Sequence, residues 1–260
     1  MSDKNIGSMV VEDTGSGEAV IMIHGLGGTS NTFQPLMESL SDFRVLRPDL
    51  PGAGRSPLKP GKPGLEGLMS AVMDAVQAEG IKRAHLVGHS MGTLICQYMA
   101  VNEPELVQSL VLFGPIMEPP VPARQGLKDR AEAARKDGMA GIADAVSNAS
   151  LSETSRSSNL VTTSFVRESL MRQDPSGYAS HCEALSNAHP ARHAAIGCPT
   201  LLVAGSDDPV APVAMAKELE SRIEKCKLEV IPDIGHWMTI EACEHSATLL
   251  RTHLDNNTEK

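Results

Sequence analysis

The stretch Ala84-His85-Leu86-Val87-Gly88-His89-Ser90-Met91-Gly92 joins two different patterns. Residues 84–88 form a short apolar run ending in glycine, as strands buried on both faces do. Residues 91–101, MGTLICQYMAV, read as a helix that follows at once. Ser90 stands at the junction, with Gly88 and Gly92 two positions away on either side. A turn this tight admits only very small neighbours, and it holds the hydroxyl out at the strand's C-terminal end on strained backbone. The helix behind it offers a positive dipole end and free backbone N–H groups. Ser90 is therefore a candidate nucleophile. The placement between strand and helix carries this reading more than the G-x-S-x-G spacing does.

Working outward, the same theme repeats. GEAVIMIHG (17–25), FRVLRPD (43–49), SLVLFGP (109–115) and TLLVAGS (200–206) are short apolar runs closed by Gly, Asp or Pro, and LEVIPD (228–233) is a weaker case. MVVEDTGSG (9–17) reads as a strand of a leading hairpin. Between the runs lie helical patterns. In 65–76, Leu65, Leu68, Met69, Val72, Met73 and Val76 mark one buried face, with Gly80 placed to cap it. Residues 212–223 and 240–254 also read as helices. Strand–helix alternation of this kind predicts an α/β fold with a mostly parallel, doubly wound sheet.

The alternation stops after Met117. Residues 118–193 open with proline-rich sequence and continue with helical patterns rich in Ala, Arg, Glu and Ser. They carry nine Lys/Arg against nine Asp/Glu, so the net charge of −9 belongs to the flanking halves. Cys198-Pro199-Thr200 then resumes a strand. The expected organisation is a core from 1–117 and 194–260 with a helical cap inserted at 118–193.

Composition narrows the function. An excess of 32 acidic over 23 basic residues speaks against nucleic acid and anionic membranes as partners. No apolar run is long enough for a membrane span, and the N-terminus lacks a hydrophobic signal core. The five cysteines show no CxxC pair, which suits free thiols in the cytoplasm and argues against a zinc site. With only seven aromatic residues and 13 methionines, Met is expected to fill gaps in the core.

A second glycine-rich loop, His24-Gly25-Leu26-Gly27-Gly28, follows the run at 19–23. Its amide at Leu26, with that of Met91, is placed to form an oxyanion hole. It lacks the G-x-G-x-x-G spacing of a dinucleotide loop, so no cofactor is expected. A serine needs a base. Among nine histidines, His236 in Asp233-Ile234-Gly235-His236-Trp237 lies between the last strand and the last helix. His85 and His89, four apart in a strand, stand about 13 Å from one another and cannot share a metal. His181, His189, His193, His245 and His253 have helical or linker contexts and read as surface residues. An acid partner for the imidazole is offered by Asp207 or Asp208, both after the run at 200–204, and only one of two adjacent residues can serve.

HGLGG, RPDLPGAGRS, GHSMG, GSDDPVAP and DIGHW together resemble, in order and over almost the whole chain, the α/β-hydrolase-fold serine hydrolases. The resemblance implies Ser90 as nucleophile, His236 as base and Asp208 as acid, because members place the acid four residues before a proline, here Pro212. A serine at the elbow separates the chain from haloalkane dehalogenases and epoxide hydrolases, which carry Asp there. GMAGIADAV (138–146), DPSGYASHCEAL (174–185) and CPTLLVAGSDDPVAP (198–212) are similar to 3-oxoadipate enol-lactonases. Where those tend to carry a Trp-Phe pair, this chain has Ser147-Asn148-Ala149-Ser150. A smaller or more polar pocket wall is the expectation.

The implied activity is hydrolysis of a small-molecule carboxylic ester or lactone through an acyl-enzyme, without metal or organic cofactor. The same elbow also serves C–C bond, amide and perhydrolase chemistry. A non-catalytic binding protein of this fold would be expected to have lost part of the set. The enol-lactone analogy further implies a carboxylate on the substrate, for which the cap offers Arg124, Arg130, Arg135, Arg156, Arg167, Arg172 and Arg192.

Overall fold

The computed structural model describes residues 2–7, 9–58 and 64–258. Its centre is an eight-stranded sheet in the order β1-β2-β4-β3-β5-β6-β7-β8. The strands are β1 (Ser2–Ile6), β2 (Met9–Thr14), β3 (Ala19–Ile23), β4 (Arg44–Pro48), β5 (Ala84–His89), β6 (Val107–Phe113), β7 (Thr200–Gly205) and β8 (Cys226–Ile231). The leading hairpin runs antiparallel, β1 with β2 and β2 with β4. From β4 through β8 every pair is parallel.

The apolar runs are continuous because both faces of the sheet are covered. In β3, Ile21 and Ile23 enter one core cluster, while Val20 and Met22 enter the other. β5 splits in the same way between Leu86 and Val87, and β6 between Leu112 and Val111. The first face is covered by α1 (Leu65–Ala78) and α2 (Met91–Asn102). The second is covered by a 3-10 segment at Ser30–Leu40, α9 (Met238–Glu241) and α10 (Cys243–Asn257). Met9, Met22, Met91, Met99, Met139 and Met238 are all buried, so methionine fills volume that rings occupy elsewhere.

Between β6 and β7 the chain forms five α-helices, α3 (Val121–Asp137), α4 (Ala140–Ser150), α5 (Glu153–Ser158), α6 (Leu160–Met171) and α7 (Pro175–Ser186), and a 3-10 turn at His193–Ala195. The remaining helix is α8 (Val213–Glu220). Among the described residues, no helix is long and apolar enough to cross a membrane.

One local expectation differs from the structure. The single helix expected over 240–254 is two helices, interrupted at Ala242, whose φ is −133°. Residues 30–40 form a 3-10 segment that interior Pro35 conceals from helical spacing. The hairpin partner β1, SDKNI, is an edge strand and carries polar residues that avoid further pairing.

Leu86 is fully buried in the central strand. Leu86→Ala is expected to destabilise the fold by about 2–5 kcal/mol, read from the urea midpoint at constant m-value.

Candidate active site

A parallel sheet brings the C-terminal ends of its strands to one edge, and the candidate residues gather there. Ser90 follows β5 and heads α2, with φ 53° and ψ −120°. That left-handed backbone costs a non-glycine residue about 1–3 kcal/mol and persists only when its surroundings fix it. Here Ser90 N–H donates to the Phe113 carbonyl of β6 (2.9 Å). The Ser90 carbonyl accepts from Thr93 N–H (2.8 Å) and from the Thr93 hydroxyl (2.6 Å). Gly92 is required by close approach: a Cβ there would lie 2.0 Å from the Ile23 carbonyl oxygen.

His236 lies on the loop after β8, and Asp208 on the loop after β7. Ser90 Oγ is 2.7 Å from His236 Nε2, and His236 Nδ1 is 2.7 Å from Asp208 Oδ2. All three side chains are buried. The other oxygen, Asp208 Oδ1, accepts from the amides of Val210 (2.8 Å) and Ala211 (2.9 Å). Burial alone would raise the Asp208 carboxyl. The His236 charge, its hydrogen bond and the two amides outweigh burial and hold it below the ordinary carboxylate value. An ionised Asp208 accepts from Nδ1–H, which leaves Nε2 to accept the Ser90 hydroxyl proton. Asp207 is exposed and does not join them; its Oδ1 accepts from the Ser206 hydroxyl (2.8 Å).

The loop at 24–28 is pinned from within. Leu50 N–H donates to His24 Nε2 (3.0 Å), so Nδ1 carries the proton and donates to the Gly25 carbonyl (2.8 Å). Leu26 borders a cavity of about 370 Å³ that also exposes Ser90 and His236. That volume suits a small organic molecule. Ile116, Leu127, Leu185, Met215 and Trp237 form much of its wall, with Glu118, Arg130 and Ser150 among its polar residues. The sequence predicts a smaller or more polar wall; the wall observed is largely apolar, with the small Ser150 on it. Ser150 is small, but Trp237 occupies the space beside it and donates Nε1–H to its hydroxyl (2.9 Å).

The histidines need a second correction. His189 and His245 are exposed, but His181 and His193 are buried and His253 is half-buried. His181 donates to the Pro51 carbonyl (2.8 Å), and His193 meets the Gln97 side chain (3.0 Å). His85 bonds Ser109 and Glu18 at the far end of β5. His89 was unassigned by the sequence, yet its Nε2–H donates to the His236 carbonyl (2.9 Å) and its ring lies 5.1 Å from that of His236. Only the fold could reveal this, because 147 residues separate the partners. Among the described residues, no group of three His, Cys, Asp or Glu side chains is arranged to hold a metal.

Burial depresses His89 to about 3 and His181 to about 4. Both are neutral when folded, while the unfolded chain protonates them below about pH 6.5. Unfolding therefore takes up protons, and stability falls as pH drops from about 6.5 towards 4. Each group adds a slope approaching about 1.4 kcal/mol per pH unit in that window. His181→Asn is expected to flatten the fall, measured by urea titration between pH 7.5 and 5.

Comparison with known proteins agrees with this architecture. The chain is 28% identical over 228 residues to 3-oxoadipate enol-lactonase 1 of Acinetobacter baylyi, covering 87% of this chain and 84% of that one. Its fold is similar to the enol-lactonase of Burkholderia xenovorans LB400 (TM-score 0.90, 25% identity, 98% of this chain and 100% of that one). It is also similar to a thermophilic esterase of Thermogutta terrifontis with malate bound (TM-score 0.91, 25% identity, 96% and 94%). The α/β hydrolase fold family profile matches residues 18–242, which span the sheet from β3 to β8 and all three residues joined at its edge; the chain belongs to that family.

Proposed function

We propose that this protein hydrolyses a carboxylic ester or lactone through an acyl-enzyme, with Ser90 as nucleophile, His236 as general base and Asp208 as its ionised partner. The observation that carries the reading is the unbroken chain of two 2.7 Å hydrogen bonds from Ser90 Oγ through His236 to Asp208, opening on an apolar cavity. His236 Nε2 takes the hydroxyl proton as Oγ bonds to the substrate carbonyl carbon. The carbonyl oxygen gains negative charge and is met by the amides of Leu26 and Met91. Support for this pairing is the closeness of the two loops: a Cβ at Gly25 would lie 2.7 Å from that of Ser90. Collapse of the intermediate breaks the C–O bond, and the leaving alkoxide takes the proton from His236. In a lactone, that alcohol stays tethered to the acyl group. Water, deprotonated by His236, then attacks the acyl carbon, and Ser90 leaves with the proton restored.

Residues 118–193 act in this reading as a cap, since Arg130, Val146, Ser150 and Tyr178 border the same cavity as Ser90. The cytoplasm suits the five free cysteines. Ser90→Ala is expected to lower kcat at least about 10⁴-fold on a responsive p-nitrophenyl ester and to abolish labelling by a fluorophosphonate. Undiminished turnover in Ser90→Ala overturns the assignment. A panel of esters, lactones and enol-lactones identifies the bond.

A carboxylate on the substrate is supported by Arg130. It is the cap arginine on the cavity wall, whereas Arg124, Arg135 and Arg167 pair with Glu118, Glu183 and Asp144. The buried Tyr178 hydroxyl lies beside its guanidinium on the same cavity wall. The similar Thermogutta esterase holds malate, a dicarboxylate. Arg130→Met should raise KM about 10-fold or more for a monoester of a dicarboxylic acid, with the neutral diester changed less than about twofold. Equal effects on both substrates remove Arg130 from this role.

A further inference from the structure

The loop that carries His236 is held by the helices inserted between β6 and β7. His236 N–H donates to the Ser150 carbonyl at the end of α4 (2.7 Å). Trp237 Nε1–H donates to the Ser150 hydroxyl (2.9 Å). The approach leaves no room for a side chain at Gly235, where a Cβ would lie 2.6 Å from both the Ser150 carbonyl oxygen and the Ser152 nitrogen.

One carboxylate completes the junction. Glu241, on α9, accepts from Ser152 N–H (2.9 Å) and Gly235 N–H (3.2 Å) through Oε2, and from Trp237 N–H (2.9 Å) through Oε1. The amides on either side of His236 thus converge on Glu241 together with an amide of the insertion. Hydrogen bonds to an ionised acceptor are about twice as strong as neutral ones. On the insertion side, Ser152 is itself fixed, because its hydroxyl accepts from Ser155 N–H (3.1 Å) and caps α5. On the core side, His89 holds the His236 carbonyl (2.9 Å).

We infer that Glu241 is a positioning residue for His236. It borders no part of the cavity and acts through backbone: it ties residues 235 and 237 to Ser152, so the ring of residue 236 is aimed between Ser90 and Asp208 only while the insertion is docked. Val146 and Ser150 line the cavity on the same α4 whose end grips the loop. Contents of the cavity that press on α4 therefore act on the alignment of the imidazole. The inference deepens the hydrolase reading and rests on it for its kinetic consequence, though the junction itself is open to test without turnover.

The experiment compares the full-length protein with Glu241→Gln and Glu241→Ala. It measures kcat, KM, the thermal midpoint and the downfield proton resonance of His236 Nδ1–H by NMR. Glutamine keeps one acceptor oxygen and the side-chain shape; alanine removes all three contacts. The expected result is a fall in kcat of about 10–100-fold for alanine and about 3–10-fold for glutamine, with KM within about twofold. The Nδ1–H resonance should weaken or broaden in the same order. If alanine does not fold, the glutamine variant alone decides, by the kcat against KM split and the resonance. Unchanged kcat, or an unchanged resonance in a folded variant, overturns the inference. Should no ester be turned over by the wild type, the hydrolase reading fails, and the resonance still decides whether Glu241 aims His236.

Discussion

The buried bond between Asp208 and His236, 2.7 Å long, is the contact on which the site depends. Its partners come from the loops after β7 and β8, neighbours whose register runs from Thr200↔Cys226 to Gly205↔Ile231. A carboxylate placed there without partners would be neutralised or would disrupt the fold. Two amides and an imidazole satisfy it instead, and the ionised state that results fixes which ring nitrogen of His236 carries the proton. The direction of the hydrogen bond to Ser90, and so the basic character of Nε2, follows from that assignment.

The glycine-rich loop at 24–28 depends on a different set of charges. Arg47 is fully buried and pairs with Glu12, while Arg55 reaches Glu12 and Asp49. Asp49 Oδ1 accepts from Ser30 N–H (2.8 Å), just beyond the loop. Buried ion pairs gain little net stability over apolar replacements. This one links the antiparallel hairpin to the start of the 3-10 segment, and its value is best understood as geometric: it fixes where the chain turns after β3. His24, neutral because burial lowers it, then locks the Gly25 carbonyl from inside the loop.

Much of the fold was legible because parallel strands buried on both faces leave continuous apolar runs, and because turns at their ends need Gly, Asp or Pro. The strands from β3 to β8, and the helices α1 and α2, stand where those signals place them. The place of Ser90 at a tight turn is legible from Gly88 and Gly92; between Asp207 and Asp208 the residues alone leave the choice open, and only the family resemblance, through Pro212, points to Asp208, which is the one that meets His236. The fates of His181 and His193 were not legible. A histidine in a helix or linker carries no mark of which carbonyl or amide will meet it, and Pro51 and Gln97 meet these two from distant parts of the chain. The apolar character of the cavity wall was not legible for a similar reason: Trp237, from a distant loop, joins Ser150 on it.

The sequence by itself determined the alternation of strand and helix, the tight turn at Ser90, the break at 118–193 and the chemical types at positions 90, 208 and 236. These are local properties, written in spacing and in the size of adjacent residues. Only the tertiary structure decided that Arg130 faces the cavity, that His89 holds the carbonyl of His236, and that Glu241 gathers amides from both the insertion and the loop. Each of these joins side chains to groups far away in the chain or on another element. Such contacts are set by how packed layers approach one another, and that information resides in no single stretch of residues.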